Sequence, residues 1–215
     1  MAIHKTTIVV YVCLVVFTGC KDRTEAPQAP VVEPTVTHEP ARPIGKGELL
    51  APAAMEQVGK TTMYDPAYMK LAYPGGDVPI DRGVCTDVVV RAMRKLDIDL
   101  QVLIHEDMKA SFASCPNLWG LKHPDPNIDH RRVPNIATYL RRKHKGLPIS
   151  ENVADYLPGD IVVWRFTYGR PHTGIVSTIP VEEQRRYKMV HNVGAGACVE
   201  DVLFAWRIEG HFRYF

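Results

Sequence analysis

Apolar and polar positions along this chain fall into distinct patterns. Ile8 to Phe17 is an apolar run with few interruptions, shorter than the ~20 residues a membrane-spanning helix needs. Pro and Gly punctuate Tyr73-Pro74-Gly75-Gly76-Asp77-Val78-Pro79-Ile80-Asp81-Arg82-Gly83, which excludes regular structure there. From Val88 onward apolar residues return at helical offsets, Val89, Ala92 or Met93, and Leu96, predicting a helix that begins close to Cys85. The run Leu100-Gln101-Val102-Leu103-Ile104, followed by His105-Glu106-Asp107, reads as a strand-to-helix junction in which Asp107 caps the following helix.

The second half changes period. Ile161 to Phe166, His172 to Ser177 and Arg185 to His191 are β-rich runs separated by turn-forming segments, of which Pro158-Gly159-Asp160 is the clearest. Val199 to Trp206 and His211 to Phe215 are further β-prone segments. Together they predict a small antiparallel sheet, and the chain as a whole an α+β fold.

The apolar run near the start reads as a targeting segment. His4 and Lys5 form a weak basic start, and Phe17-Thr18-Gly19-Cys20 places small residues before a cysteine, as at a secretory cleavage site. The pattern resembles a bacterial lipoprotein signal over residues 1–20, in which Cys20 would be lipidated and become the mature N-terminus. Phe17 stands where such signals favour leucine, so plain secretion stays open. Lys21 in place of Asp after the cysteine implies, by resemblance to enterobacterial sorting rules, the periplasmic side of the outer membrane. Residues 21–46 carry prolines at 27, 30, 34, 40 and 43 and almost no large apolar residue; such a segment buries no core and is expected to be an extended tether. Residues 47–215 are long enough for one compact domain.

Charge is nearly balanced. Loss of Lys5 with the signal leaves 25 basic against 24 acidic side chains, which argues against a nucleic-acid partner. Arg141-Arg142-Lys143-His144-Lys145 reads as a solvated helix end. Beyond Cys20 the chain has Cys85, Cys115 and Cys198. With an odd number, at least one thiol stays unpaired within a monomer; the sequence leaves open whether Cys115 and Cys198 are bridged.

Cys85 stands where the turn-rich loop gives way to a helix. A helix N-terminus carries unpaired N–H groups and partial positive charge, favouring thiolate, the nucleophilic form. His172 begins one predicted strand and His191 closes another. If those strands are neighbours and the Cys85 helix packs on the face of His172, Gly174 and Val176, thiol and imidazoles converge. His172 would then act as base and acid, with His191 holding its tautomer. Each residue alone has an ordinary reading, a packed cysteine or a satisfied histidine; their order along the chain makes the case.

That order resembles the NlpC-type cysteine peptidases, cell-wall hydrolases of trimmed papain-like fold. Tyr73, Gly75, Gly76 and Cys85 match their opening motif. Pro158-Gly159-Asp160-Ile161-Val162, His172-Thr173-Gly174-Ile175 and Val190-His191 match the strands carrying the base and the third polar residue. Residues from about 60 to 215 resemble more closely a bacterial domain-of-unknown-function family, number 1287, through His105-Glu106-Asp107-Met108, Pro124-Asp125-Pro126-Asn127-Ile128-Asp129-His130-Arg131-Arg132 and Gly210-His211-Phe212-Arg213-Tyr214. The resemblance implies a thiol hydrolase acting on amide bonds of peptidoglycan, with Cys85 as nucleophile and no cofactor. Val84 stands where the relatives have Asp, and Thr86-Asp87 where they have Ser-Gly. Those flanking residues help hold the stem peptide in the relatives, so the bond cleaved does not carry over. Tyr73, Asp81 and Asp87 are the candidates for substrate contact.

His123, Asp125, Asp129 and His130 form a ligand-rich loop, but Pro124 and Pro126 break any helix that would give zinc ligands their usual spacing. A loop capped by its own Asp and Asn side chains is the expectation there, with no metal. Trp119 and Trp164 read as core. The expected protein is thus a monomeric hydrolase held to the membrane by its lipid anchor. The competing expectations are a silent wall-binding module of the same fold and a thiol acyltransferase.

Overall fold

A computed structural model of the protein describes residues 45–215. The expected signal segment, Cys20 and all but the last residues of the tether lie outside the described residues. Among the described residues, no helix is long and apolar enough to cross a membrane.

The domain is α+β, built on a six-stranded antiparallel sheet. In chain order the elements are α1 (Lys46–Met55), β1 (Met63–Tyr64), β2 (Arg82–Gly83), α2 (Cys85–Arg94), α3 (Leu100–Ser111), α4 (Val133–Arg142), β3 (Gly146–Leu147), β4 (Ile161–Arg165), β5 (Pro171–Val181), β6 (Arg186–Asn192), β7 (Ala197–Glu200) and β8 (Arg207–Phe212). The main sheet runs β3-β8-β4-β5-β6-β7, while β1 and β2 pair in parallel. Strand β8 lies between β3 and β4, so the segment with the highest residue numbers closes the sheet from within.

Alternation sorts the strand residues onto two apolar faces. Ile161, Val163, Ile175, Val190 and Phe212 pack with the helices, against Leu50, Val88, Val89, Met93 and Ile136. Val162, Trp164, Val176 and Met189 form the other face with Tyr156 and Leu203. Trp164 is fully buried, its Nε1 donating to Leu203 O at 2.8 Å. Each such side chain contributes about 1.5–3 kcal/mol on burial.

Helix α2 is the axis of the helical layer, and all its residues but Arg94 are buried. Its Arg91 ties down the turn-rich loop, reaching Asp77 Oδ2 (2.8 Å), Thr61 Oγ1 (3.0 Å) and the carbonyls of Val78, Pro79 and Arg82. The strand-to-helix junction expected at 100–107 is corrected to one helix, α3. Asp99 caps it by accepting from Gln101 N–H at 3.0 Å, and Leu100, Ile104 and Met108 form its buried stripe. Side-chain capping of this kind is worth about 1 kcal/mol. Asp107 caps nothing; it pairs with Arg142 on α4.

Candidate active site

Cys85 is the first residue of α2 and only 5 % exposed. The backbone N–H groups of Thr173, Thr86 and Cys85 itself lie near enough to its sulfur to favour the thiolate. Burial outweighs them and pushes the thiol up to about 12, with Asp87 adding to the effect. The sequence expectation of a resting thiolate is therefore corrected: withdrawal from water dominates over the helix terminus. Cys115 and Cys198 are free thiols as well, so no bridge joins them.

His172 is the second residue of β5 and His191 lies near the end of β6; both are buried, and His172 Nε2 sits 2.9 Å from His191 Nδ1. The room comes from Gly174, where a Cβ would stand 2.8 Å from Val190 O and 3.0 Å from His191 Cβ. His172 stacks on Trp164 and Phe166 (ring centroids 5.6 and 5.0 Å) and meets Trp206 edge-on. Burial, then the neighbouring His191, pushes His172 down to about 3, so its resting ring is neutral. Burial also lowers His191, against an opposing pull from Glu200, whose Oε2 lies 3.0 Å from its Nε2. That contact is close but not aligned as a hydrogen bond.

The expected packing of α2 on the imidazole face is corrected. Ile175 and Val190 face the helices, and alternation turns His172 and His191 to the aromatic side with Trp164. Cys85 meets β5 at its beginning instead, through the N–H of Thr173, the residue after His172. The structure thus joins the two imidazoles directly and brings the sulfur to the backbone beside the first.

Cys85 borders a groove of about 410 Å³ that also takes in Tyr64, Tyr68, Trp119, Arg132 and Pro171. Trp119 is not core: it is 42 % exposed, with the Arg132 guanidinium 4.0 Å over its ring. A larger depression of about 590 Å³, beside Leu49, Pro52 and Phe215, holds no thiol or imidazole.

The three residues expected to touch substrate are placed differently. Asp87 shares the first turn of α2 with Cys85 but is buried and engaged: it accepts from Val84 N–H (2.7 Å) and from Nε and Nη2 of Arg131, both 3.0 Å away. Tyr73 is exposed outside the groove lining, donating to Glu106 Oε1 at 3.0 Å. Asp81 pairs with Arg82 at 3.2 Å, also outside the lining.

The 123–130 loop is held by its own polar groups. Asp125 Oδ1 accepts from Asn127 N–H at 2.9 Å and Asp129 Oδ2 from Asp125 N–H at 2.8 Å. Sequence reasoning missed a buried polar cluster under the Pro-Gly-Asp turn. Asp160 meets His211 Nε2 at 2.8 Å and Arg213 Nε at 2.7 Å. It also missed Arg131 as the partner of Asp87 and Glu200 beside His191. The pairing of His191 with Cys198 across β6 and β7 puts Glu200 near that ring, and only the strand register reveals it.

A protein-family model described as "Domain of unknown function (DUF1287)" matches residues 51–214. The "Uncharacterized protein YijF" of Escherichia coli (strain K12) is 51 % identical over 188 residues, covering 87 % of this chain and 90 % of that protein.

Proposed function

The chain belongs to the DUF1287 family, and from its geometry we propose that it is a papain-like, NlpC-type thiol hydrolase cleaving amide bonds in peptidoglycan stem peptides at the cell envelope. One observation carries this reading. The Cys85 sulfur lies at a helix start, ringed by backbone N–H groups and bordering a groove, beside the strand whose His172 is hydrogen-bonded to His191.

The chemistry follows from proton positions. For His172 Nδ1 to act as base, the ring proton must sit on Nε2 and be donated to His191 Nδ1. The His191 proton then sits on Nε2, facing the Glu200 carboxylate. As the substrate carbonyl enters the groove, the Cys85 and His172 side chains turn toward each other around the start of β5, the thiol proton passes to His172 Nδ1 and the sulfur attacks the carbon. The Cys85 N–H donates to the developing oxyanion. Collapse breaks the C–N bond, the amine leaves with the proton from His172, and water hydrolyses the thioester to a carboxylic acid. Because both resting groups are neutral, the nucleophile is generated with substrate in place.

Purified sacculi test the reading. The full chain should release peptide fragments detectable by mass spectrometry, and Cys85→Ala should release none. Silence from the wild-type protein, with sacculus binding intact in both, would establish the second reading, a wall-binding module that retained the fold. The deep burial of Cys85 is what favours that alternative. New amide conjugates in place of free acids would mark acyl transfer. The lipid anchor at Cys20 belongs to the same proposal, and mass measurement of the mature N-terminus decides it.

A further inference from the structure

His191, Cys198 and Glu200 bring one nitrogen, one sulfur and one carboxylate oxygen within 4.8 Å of one another. His191 and Cys198 are cross-strand partners on β6 and β7, and Glu200 lies two residues beyond Cys198 on β7. His191 is 0 % exposed, yet its Nε2 has no aligned hydrogen bond and is aimed at Glu200 Oε2, 3.0 Å away. A ring nitrogen so placed can give up its proton and present a lone pair to a cation held between it and the carboxylate. Cys198 and Glu200 are at the rim, Glu200 with half its side chain in water, which leaves an approach for a cation and an open fourth position.

We propose that these residues bind a zinc-class divalent cation, and that filling the site disarms His172. A nitrogen, a thiolate and a carboxylate suit zinc, at metal distances of about 2.0–2.3 Å and hence ligand separations of about 3.3–3.6 Å. Their present spacing, within 4.8 Å, leaves about 1 Å to close, and the partly exposed Cys198 and Glu200 side chains are the groups placed to close it. Binding releases the Cys198 thiol proton to solvent and occupies the His191 Nε2 lone pair. The His191 proton is then confined to Nδ1 and donated to His172 Nε2. His172 must in turn carry its own proton on Nδ1, the atom that would accept from the thiol. This second half rests on the hydrolase reading; the site itself does not.

Cobalt(II) titration of the full-length Cys85→Ala chain tests the site without recourse to activity. One equivalent should give tetrahedral d–d bands and a thiolate-to-cobalt charge-transfer band, both displaced by Zn²⁺. Cys198→Ser added to that chain should abolish the charge-transfer band, Glu200→Gln should weaken binding at least tenfold, and Cys115→Ser should change nothing. No charge-transfer band in the parent, or one that survives Cys198→Ser or Cys198→Ala, overturns the site; circular dichroism checks that the variants are folded. With the site established, Zn²⁺ should suppress peptide release by wild-type protein, and Cys198→Ser should lose that sensitivity relative to its own metal-free rate. Stoichiometric binding with undiminished release overturns the disarming step alone. Absence of release from metal-free wild type would reject the hydrolase reading and, with it, the disarming step, and would leave the binding result standing.

Discussion

The carboxylate of Asp87 and the guanidinium of Arg131 form a two-pronged pair, 3.0 Å at both Nε and Nη2, with side chains only 4 % and 2 % exposed. The pair connects the first turn of α2 to the segment before α4, and Arg131 goes on to the carbonyls of Asp65 and Ala67. The turn that carries Cys85 is therefore fixed from beneath by a charge pair. Gly83 fits against it, with a Cβ there 3.0 Å from Asp87 Oδ2.

Breaking this pair should act on folding. Asp87→Ala strands a buried guanidinium and should cost about 3–5 kcal/mol, read as a lower urea midpoint with unchanged slope. Equal stability with a raised KM on sacculus peptides would instead mark Asp87 as a substrate contact.

The resting state of Cys85 is open to direct measurement. With burial holding the thiol near 12, alkylation by iodoacetamide should be slow at neutral pH and rise about tenfold per pH unit from 7 to 10, because only thiolate reacts. A plateau beginning below pH 9 would show that the N–H groups around the sulfur outweigh its desolvation.

The two imidazoles should differ in weight. His172→Ala should lower peptide release on the order of 10²–10⁴-fold, the usual contribution of a positioned base. His191→Asn should retain more activity than His191→Ala, since an amide oxygen can still accept the His172 Nε2 proton. Equal loss in both His191 variants would exclude an orienting role.

Acid should release the Asp160 cluster. Burial alone would raise this carboxyl, but hydrogen bonds from His211 and Arg213 outweigh it and hold it below its ordinary 3.8. A depressed folded-state value means stability fully present above about pH 3.8 and lost as the pH falls through the lower value. Asp160→Asn should therefore be less stable than wild type by about 1.5 kcal/mol at pH 7, the usual worth of hydrogen bonds to a charged group. The gap should narrow only below pH 4 in urea melts; a gap independent of pH from 7 to 2 would contradict the assignment.

Strands β4, β5 and β6 were legible as short β-prone runs bounded by turn residues, whereas β3 carried no signal and β8, at 207–212, falls mostly between the segments 199–206 and 211–215 that read as β-prone. The approach of β5 and β6 that unites His172 with His191 followed from the same signal. Which face receives the helices did not, because both faces are apolar and alternation gives no sign. The 100–111 helix was hidden by a short apolar run whose stripe emerges only with Ile104 and Met108 included. Asp160 with His211, and Asp87 with Arg131, join residues far apart in the chain, and only tertiary packing makes them partners. Burial is the ordinary state of a lone cysteine and was readable as such for Cys85; that it would outweigh the helix terminus was not, since helix position signals charge stabilisation but not desolvation.

The place of β8 between β3 and β4 has a consequence for how the molecule is made. Residues 207–212 leave the ribosome after every other strand, so no earlier intermediate can complete the hydrogen-bond ladder through β4. A fusion or deletion after residue 206 therefore strikes at the middle of the ladder, not at a fringe.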